Sequence, residues 1–153
     1  MRTKLALVLA AALCACGESR PVAAGSSSAV CPSVIQPTFS SIDQSLLKVT
    51  CTQCHSGSLA ASSGGLDMSG DAFGQLVGIV AQNSQAQPGS RPAGLLRVKP
   101  GDPDNSLLYQ KVLIGTTPSP QFGEGMPLDN PGSVCQQTRD AIRDWILAGA
   151  LRN

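Results

Sequence analysis

The chain has 153 residues and a formal net charge of +1; only 3% of its residues are aromatic, whereas 16 are glycine and 11 are proline. This length fits one small domain, and a charge so close to zero gives no sign of nucleic-acid binding. The composition predicts a thin, loop-rich core, which a large buried cofactor would complete.

Residues 1–15 are predicted to form a secretory signal peptide. Arg2 and Lys4 precede an apolar run from Leu5 to Leu13, which is too short to span a bilayer. Without these two basic residues, nine basic side chains remain against ten acidic ones, so the formal net charge becomes −1. The sequence therefore predicts an exported protein.

A lipid anchor is predicted at Cys16. The segment Leu13-Cys14-Ala15-Cys16-Gly17 resembles the lipobox of bacterial lipoproteins, in which the signal is removed before a cysteine that receives lipid. This implies attachment to a bacterial membrane, facing the periplasm, with the outer membrane as one option. The alternative is ordinary cleavage and a soluble periplasmic product. Residues 16–35 are rich in alanine, serine and glycine, so we expect a flexible tether ahead of a domain at 36–153.

The first half of the domain is predicted to contain two helices. Thr38 suits an N-cap, and the apolar residues after it recur every three or four positions up to Cys51. A second helix is expected from Asp71 to Val80, with Ser69 or Asp71 as its cap. The apolar faces of the two helices consist of Phe39, Ile42, Leu46 and Val49, and of Phe73, Leu76, Val77 and Val80.

The second half is predicted to contain two more helices. One begins near residue 104, where Asp104 or Asn105 can cap, and the other has Asn130 as its cap and Pro131 in its first position. Apart from Leu95 to Val98, no segment alternates like a strand, so the predicted fold class is all-α, with about four helices and long loops. The apolar faces consist of Leu107, Leu108, Val112 and Leu113, and of Val134, Ala141, Ile142, Trp145, Ile146 and Gly149.

Cys51-Thr52-Gln53-Cys54-His55 follows the C-x-x-C-H pattern of covalent haem attachment. In this pattern two thiols add to the vinyl groups of haem, and the next histidine binds the iron from one side. One turn of chain brings both sulfurs to the porphyrin edge while His55, the only histidine of the sequence, reaches the metal. We therefore expect one haem c, attached at Cys51 and Cys54 and ligated by His55.

Two other interpretations of these cysteines are open. A thioredoxin-like redox pair requires a preceding strand and a βαβ context, and the sequence shows neither. A structural zinc site could combine Cys51 and Cys54 with Cys31 and Cys135, but a second C-x-x-C pair is absent. The sequence favours covalent haem over both.

Because the sequence has no other histidine, a second axial ligand has to be methionine, lysine or another weaker donor, or it is absent; Met68 and Met126 are the internal methionines. Met126 lies in the segment 122–127, FGEGMP, where glycines allow a close approach of the backbone to haem and proline stiffens the loop. Met68 follows His55 by 13 residues and could fill core space instead. The loop favours Met126 as the ligand.

Three features resemble a single-haem cytochrome c domain over residues 36–151. They are the amphipathic helix that leads into C-x-x-C-H, the glycine-rich loop that ends at Met126-Pro127, and the last helix with Trp145-Ile146. The resemblance implies a small cytochrome c-like fold around one covalent haem. It also implies that Met126 is the distal iron ligand.

Residues 66–70, 97–103 and 106–108 further resemble the planctomycete-type branch of this family, which occurs in bacterial lipoproteins. That branch often carries leucine where Met68 stands, which implies core packing for Met68. The long loop at 82–94 departs from the family pattern. Arg97 is expected to donate to a haem propionate, because its fork of N–H groups fits a carboxylate; the alternative is a solvated surface arginine.

We expect a disulfide between the two cysteines that the preceding assignments leave unused. Cys14 leaves with the signal peptide, Cys16 takes lipid and Cys51 and Cys54 take haem, so Cys31 and Cys135 remain. An oxidising compartment permits their pairing. The alternative is two buried free thiols.

These expectations describe an electron carrier rather than an enzyme. With His55 and Met126 on the iron, no position remains for substrate, and the haem suits one-electron exchange with redox partner proteins. One alternative is a haem-containing sensor or structural module. Another is a gas- or peroxide-reactive haem protein, which needs an open distal position. No nucleic-acid partner is expected.

Overall fold

The structure, a computed structural model, describes residues 31, 34–82 and 92–153. The predicted signal peptide at 1–15, the lipid on Cys16, most of the tether at 16–35 and most of the loop at 82–94 lie outside these residues. Across the described ranges the chain forms four α-helices, short π- and 3₁₀-helical turns and isolated β-bridges, but no strand. The predicted all-α class is therefore confirmed. Within the same ranges, no helix combines the length and the apolar character needed to cross a bilayer.

The first helix, α1, spans Phe39–Ile42 and continues as a π-helical turn over Asp43–Leu47. Thr38 caps it as predicted, because the Thr38 hydroxyl accepts a hydrogen bond from the backbone N–H of Ser41 at 3.3 Å. Ile42 is fully buried on the core side of the helix. The chain then runs directly into Cys51.

The π-turn moves the apolar face of this segment by one residue. The backbone N–H of Lys48 bonds to the carbonyl of Asp43, five residues back, instead of four. As a result Leu46 and Leu47 are both buried, whereas Val49, predicted on the apolar face, is 59% exposed. The segment that leads into Cys51 therefore does not follow the regular helical period of about 3.6 residues.

The second helix, α2, spans Ala72–Leu76 and is shorter than predicted. Asp71 is its cap, accepting a hydrogen bond from the N–H of Gly74 at 3.1 Å. The prediction that the helix reaches Val80 is wrong, because Val77 adopts an extended conformation. β-Branched residues favour that conformation.

Residues 77–81 instead run beside residues 95–98. The two segments form bridges at Val77 with Val98 and at Val80 with Leu96. Gly78, with φ +73°, supplies the left-handed turn that a side chain would resist. The predicted strand-like segment at 95–98 therefore pairs with residues 77–81, but only through isolated bridges and not as a regular strand.

The third helix, α3, spans Leu107–Leu113. Its N-cap position is Ser106, so the predicted start near residue 104, capped by Asp104 or Asn105, is wrong. Residues before the helix form a tight turn in which Asp102 accepts a hydrogen bond from the N–H of Asn105 at 3.1 Å. This local side-chain bond satisfies the backbone without extending the helix.

The fourth helix, α4, spans Gln136–Leu147, with Cys135 at the N-cap position. The predicted start, with Asn130 as cap and Pro131 in the first turn, is wrong. The carbonyl of Asn130 accepts a hydrogen bond from the N–H of Ser133 at 3.2 Å, which closes a separate turn before the helix. Turn-forming residues look alike in sequence whether they cap a helix or only precede one.

The predicted disulfide between Cys31 and Cys135 is present, with 5.7 Å between the two Cα atoms and 104 positions between them in sequence. It joins the segment that precedes α1 to the start of α4.

The core lies where α1 and α3 meet α4. Phe39 packs edge-on against Phe73, with ring centroids 5.0 Å apart, and lies 5.8 Å from Trp145. Met68 is buried with 3% exposure, as expected for a core residue. The buried core cluster consists of Ile42, Leu46, Leu47, Met68, Ala72, Leu76, Val98, Tyr109, Val112, Val134, Ile142, Trp145, Ile146 and Ala150.

Candidate functional site

The C-x-x-C-H motif occupies one compact turn that follows α1. Cys51–Gln53 is a 3₁₀ turn, and the backbone N–H groups of Cys54 and His55 both donate to the carbonyl of Cys51, at 3.2 and 2.9 Å. The Gln53 side chain donates to the carbonyl of Val49 at 2.8 Å, which ties the turn to the residues before it. Both thiols and the imidazole are thus presented by five consecutive residues on a hydrogen-bonded scaffold.

The two motif cysteines are free and differ in environment. Cys51 is partly buried against the core, whereas Cys54 is exposed. Burial, aided by the nearby Cys54, raises the pKa of the Cys51 thiol to about 12. A nucleophilic redox cysteine needs the opposite shift, toward a thiolate at neutral pH. The thioredoxin-like interpretation therefore receives no support from this site.

His55 presents a half-buried imidazole. Its Nδ1 atom is buried and has no hydrogen-bond partner among the described residues. Burial lowers the pKa of His55; the backbone at Leu66 and Ser63 opposes this shift, and the charge of Arg97 adds to it. Burial therefore favours the neutral imidazole, the form in which a histidine ligates a metal.

The segment after the motif is folded back onto it. The Ser63 hydroxyl donates to the carbonyl of Cys54 at 3.0 Å, and the carbonyl of His55 accepts a hydrogen bond from the N–H of buried Met68 at 2.8 Å. Gly64 and Gly65 follow with φ values of +71° and +65°. These two left-handed residues let residues 56–68 fold back beneath the imidazole.

Arg97 holds this folded segment in place. One terminal guanidinium nitrogen donates to the carbonyl of Gln75 at 2.8 Å, and the other donates to the carbonyls of Gly64 and Gly65 at 3.1 and 3.0 Å. Only 6% of Arg97 is exposed, so the alternative of a solvated surface arginine is wrong. Its contact with a haem propionate stays a prediction.

The loop that carries Met126 is docked on α3. Ser119 and Gly123 close its base with paired backbone bonds of 2.8 and 2.7 Å. The N–H of Met126 donates to the carbonyl of Lys111 at 2.8 Å, and the ammonium of Lys111 donates to the carbonyl of Glu124 at 2.9 Å. Met126 itself is partly exposed.

Lys111 also links the two halves of the site. Its positive charge contributes to the lowered pKa of His55, and its own pKa is lowered to about 8, chiefly by burial. For the pKa of His55 this charge is a minor influence, after burial and the charge of Arg97. Sequence reasoning missed Lys111, because a lysine on an amphipathic helix is ordinarily expected to face solvent.

The four-cysteine zinc site predicted as an alternative is wrong. Cys31 and Cys135 are joined to each other, so neither can offer a thiolate. In the part of the chain that the structure describes, no group of three or more His, Cys, Asp or Glu side chains could hold a metal ion. An open depression of about 790 Å³ lies beside the disulfide and does not include the motif.

Comparison of the chain with protein-family models, with curated proteins and with solved structures found no match.

Proposed function

We propose that this chain is a single-haem c-type cytochrome that carries single electrons. Haem is attached through Cys51 and Cys54, and the iron is held between His55 and Met126. The observation that carries the proposal is the turn at 51–55. It presents two free thiols and, next to the second of them, the imidazole of His55, the groups that covalent haem attachment uses.

The surroundings of the turn fit a large apolar group. Val49 and Leu59, close to the motif in sequence, expose 59% and 51% of their surface, which is apolar area available for cover. Only 3% of the residues are aromatic, so a haem packed against this apolar area would enlarge a thin core. Haem supplies a one-electron iron couple.

The chain's own residues then control that couple. With His55 and Met126 as its ligands, the iron would have no position left for a substrate, and a thioether ligand would favour the reduced state relative to a second histidine. An electron carrier follows from this ligand set, rather than a catalyst. The predicted export signal and the lipid on Cys16 would keep the carrier on the periplasmic side of a membrane, near its redox partner proteins.

Covalent haem is tested by expressing the full chain in a bacterium with its haem c maturation system. We expect the pyridine haemochrome spectrum of a c-type haem, a haem stain that survives denaturing electrophoresis, and a mass increase of one haem. The double variant Cys51→Ser/Cys54→Ser should lose all three signals. The double variant Cys31→Ser/Cys135→Ser, which also removes two cysteines, should keep them. A wild-type protein without covalent haem would overturn the proposal.

The distal ligand is tested on the oxidised holoprotein. We expect the weak far-red band of a methionine thioether on iron(III), lost in Met126→Ala and kept in Met68→Leu. Ready binding of carbon monoxide to the reduced wild-type protein at neutral pH would instead favour a gas-reactive haem. A covalent haem with a vacant sixth position would favour the same alternative.

A further inference from the structure

We propose that Lys111 is a positioning residue, which holds the Met126 loop against α3 and so secures the bond between the Met126 sulfur and the iron. This inference rests on the proposed function, because it concerns the distal ligand of the same haem. Lys111 is not itself an iron ligand. It acts through the backbone of the loop.

The first observation is that Lys111 contacts the loop at two points. Its backbone carbonyl accepts the hydrogen bond from the N–H of Met126 at 2.8 Å. Its side-chain ammonium donates to the carbonyl of Glu124 at 2.9 Å. The two bonds lie on either side of Gly125, so one lysine fixes both the ligand residue and the residue two positions before it.

The second observation is the close packing of Gly125 between those two bonds. A Cβ atom on Gly125 would collide with the carbonyl oxygen of Ile114, and it would lie 3.0 Å from the carbonyl oxygen of Gly115. Residues 124–126 therefore lie directly on the C-terminal end of α3. The bonds to Lys111 hold the loop in this close contact.

The third observation is the burial of Lys111. Of the three lysines among the described residues, Lys48 and Lys99 pair with carboxylates, and their side chains are 63% and 48% exposed. Lys111 is only 8% exposed. A buried ammonium is costly unless hydrogen bonds compensate for its lost hydration. Here the hydrogen bond from the Lys111 ammonium to the carbonyl of Glu124 offsets that cost. Because little water surrounds this bond, it is strong.

A consequence follows for the iron. A thioether is a weak ligand. Replacing a residue that orients a metal ligand through hydrogen bonds typically lowers metal affinity about 10- to 100-fold. Without the Lys111 ammonium, the loop loses the hydrogen bond at Glu124 while the backbone bond to Met126 remains. We expect the Met126 sulfur to leave the iron for a larger fraction of the time.

The test uses the holoprotein and compares Lys111→Met with wild type. Methionine keeps the length and apolar stem of the side chain but removes the donor. We expect the far-red thioether band to weaken and the affinity of the reduced protein for carbon monoxide to rise about 10-fold or more, because the two ligands compete for one position. Lys99→Met, at the surface, should change neither. Ile142→Val, which loosens the core away from the loop, should lower stability without moving the band.

Several outcomes would decide against the inference. A Lys111→Met holoprotein with the wild-type band and wild-type carbon monoxide affinity overturns it. If that variant does not fold, Lys111→Gln, which keeps a shorter donor, should show a partial loss of the band, and an unchanged band overturns the inference equally. Absence of covalent haem in the wild-type protein refutes the proposed function itself. Covalent haem with no far-red band in wild type refutes Met126 as the ligand and this inference with it.

Discussion

The backbone N–H of Phe39 donates a hydrogen bond to the side-chain oxygen of Asn153 at 2.9 Å. The N–H of Ser40 donates to the backbone oxygen of the same asparagine at 3.0 Å. Two otherwise unpaired donors in the first turn of α1 are thus satisfied by a residue more than a hundred positions away in sequence. Because α1 leads into the C-x-x-C-H turn, this contact fixes the start of the helix that supports the site.

Replacing Asn153 should therefore destabilise the fold through α1. We expect Asn153→Ala to lower the free energy of unfolding by about 0.5–2 kcal/mol, the usual cost of removing a capping acceptor. Asn153→Asp keeps an acceptor and should retain most of the stability. Urea unfolding followed by circular dichroism measures the difference. Equal midpoints for wild type and Asn153→Ala would contradict this role.

The ion pair between Arg152 and Asp71, 2.9 Å apart, predicts a pH-dependent contribution to stability. The Arg152 guanidinium and then the N–H of Gly74 hold the pKa of Asp71 below its ordinary value of 3.8. Because the folded pKa is the lower one, the unfolded chain takes up the proton first as the pH falls. The stabilisation is therefore present above pH about 4 and is lost as the pH falls through the folded pKa.

This dependence is measured with Asp71→Asn, which removes the charge but keeps a side chain that can cap α2. We expect the variant to be less stable than wild type at neutral pH and the difference to disappear toward pH about 2. Urea titrations at a series of pH values provide the measurement. A difference that stays constant over this range would show that the charge of Asp71 does not contribute.

Removal of the Arg97 guanidinium should loosen the segment behind His55. In Arg97→Met the carbonyls of Gly64, Gly65 and Gln75 lose their donors, and each of these part-buried hydrogen bonds contributes about 0.5–1.5 kcal/mol. We expect a loss of at least that size in the free energy of unfolding. Arg97→Lys, with a single ammonium, should recover only part of it. An Arg97→Met protein as stable as wild type would show that these hydrogen bonds do not hold the segment in place.

The disulfide should stabilise the protein by restricting its unfolded chain. Cys31→Ser/Cys135→Ser releases a loop of 104 residues and should cost about 2–4 kcal/mol. Chemical reduction of the wild-type protein should produce a similar loss, and reduction should leave the double variant unaffected. Thiol titration of the unreduced, denatured protein should find neither cysteine free. Unchanged stability in the double variant would refute the contribution.

We expect that Gly125 cannot be replaced by a residue with a side chain. Gly115, which lies against it, should accept one. In Gly125→Ala the new Cβ meets the carbonyl of Ile114, so the loop has to lift away from α3. We expect loss of the far-red thioether band and lower stability. Gly115→Ala is the matched control, because a Cβ there meets nothing within 4 Å. A Gly125→Ala protein with the wild-type spectrum would contradict the docking of the loop.

Features that depend on a few neighbouring residues were predictable. Thr38 and Asp71 cap their helices as expected, because a hydroxyl or carboxylate next to free N–H groups acts within a single turn. The apolar face of α4 was also predictable, since Ile142, Trp145 and Ile146 recur with the helical period and are all buried. The Cys31–Cys135 pairing followed from accounting for the other cysteines.

Helix lengths and starts were less predictable, because contacts distant in sequence override local preference. α2 ends at Leu76 since Val77 and the residues after it pair with the segment around Val98. The π-turn at Asp43–Leu47 turns Val49 outward, which no regular period anticipates.

The same division applies to the candidate site. The sequence alone determined the turn from Cys51 to His55, because consecutive residues carry both thiols and the imidazole whatever surrounds them. Only the tertiary structure decided what lies behind that turn: Arg97 on the carbonyls of Gly64 and Gly65, and Lys111 on the Met126 loop. Those contacts join residues 13 to 33 positions apart. They depend on buried hydrogen bonds that form only once α3 and the loops are packed, and no pattern of neighbouring residues encodes them.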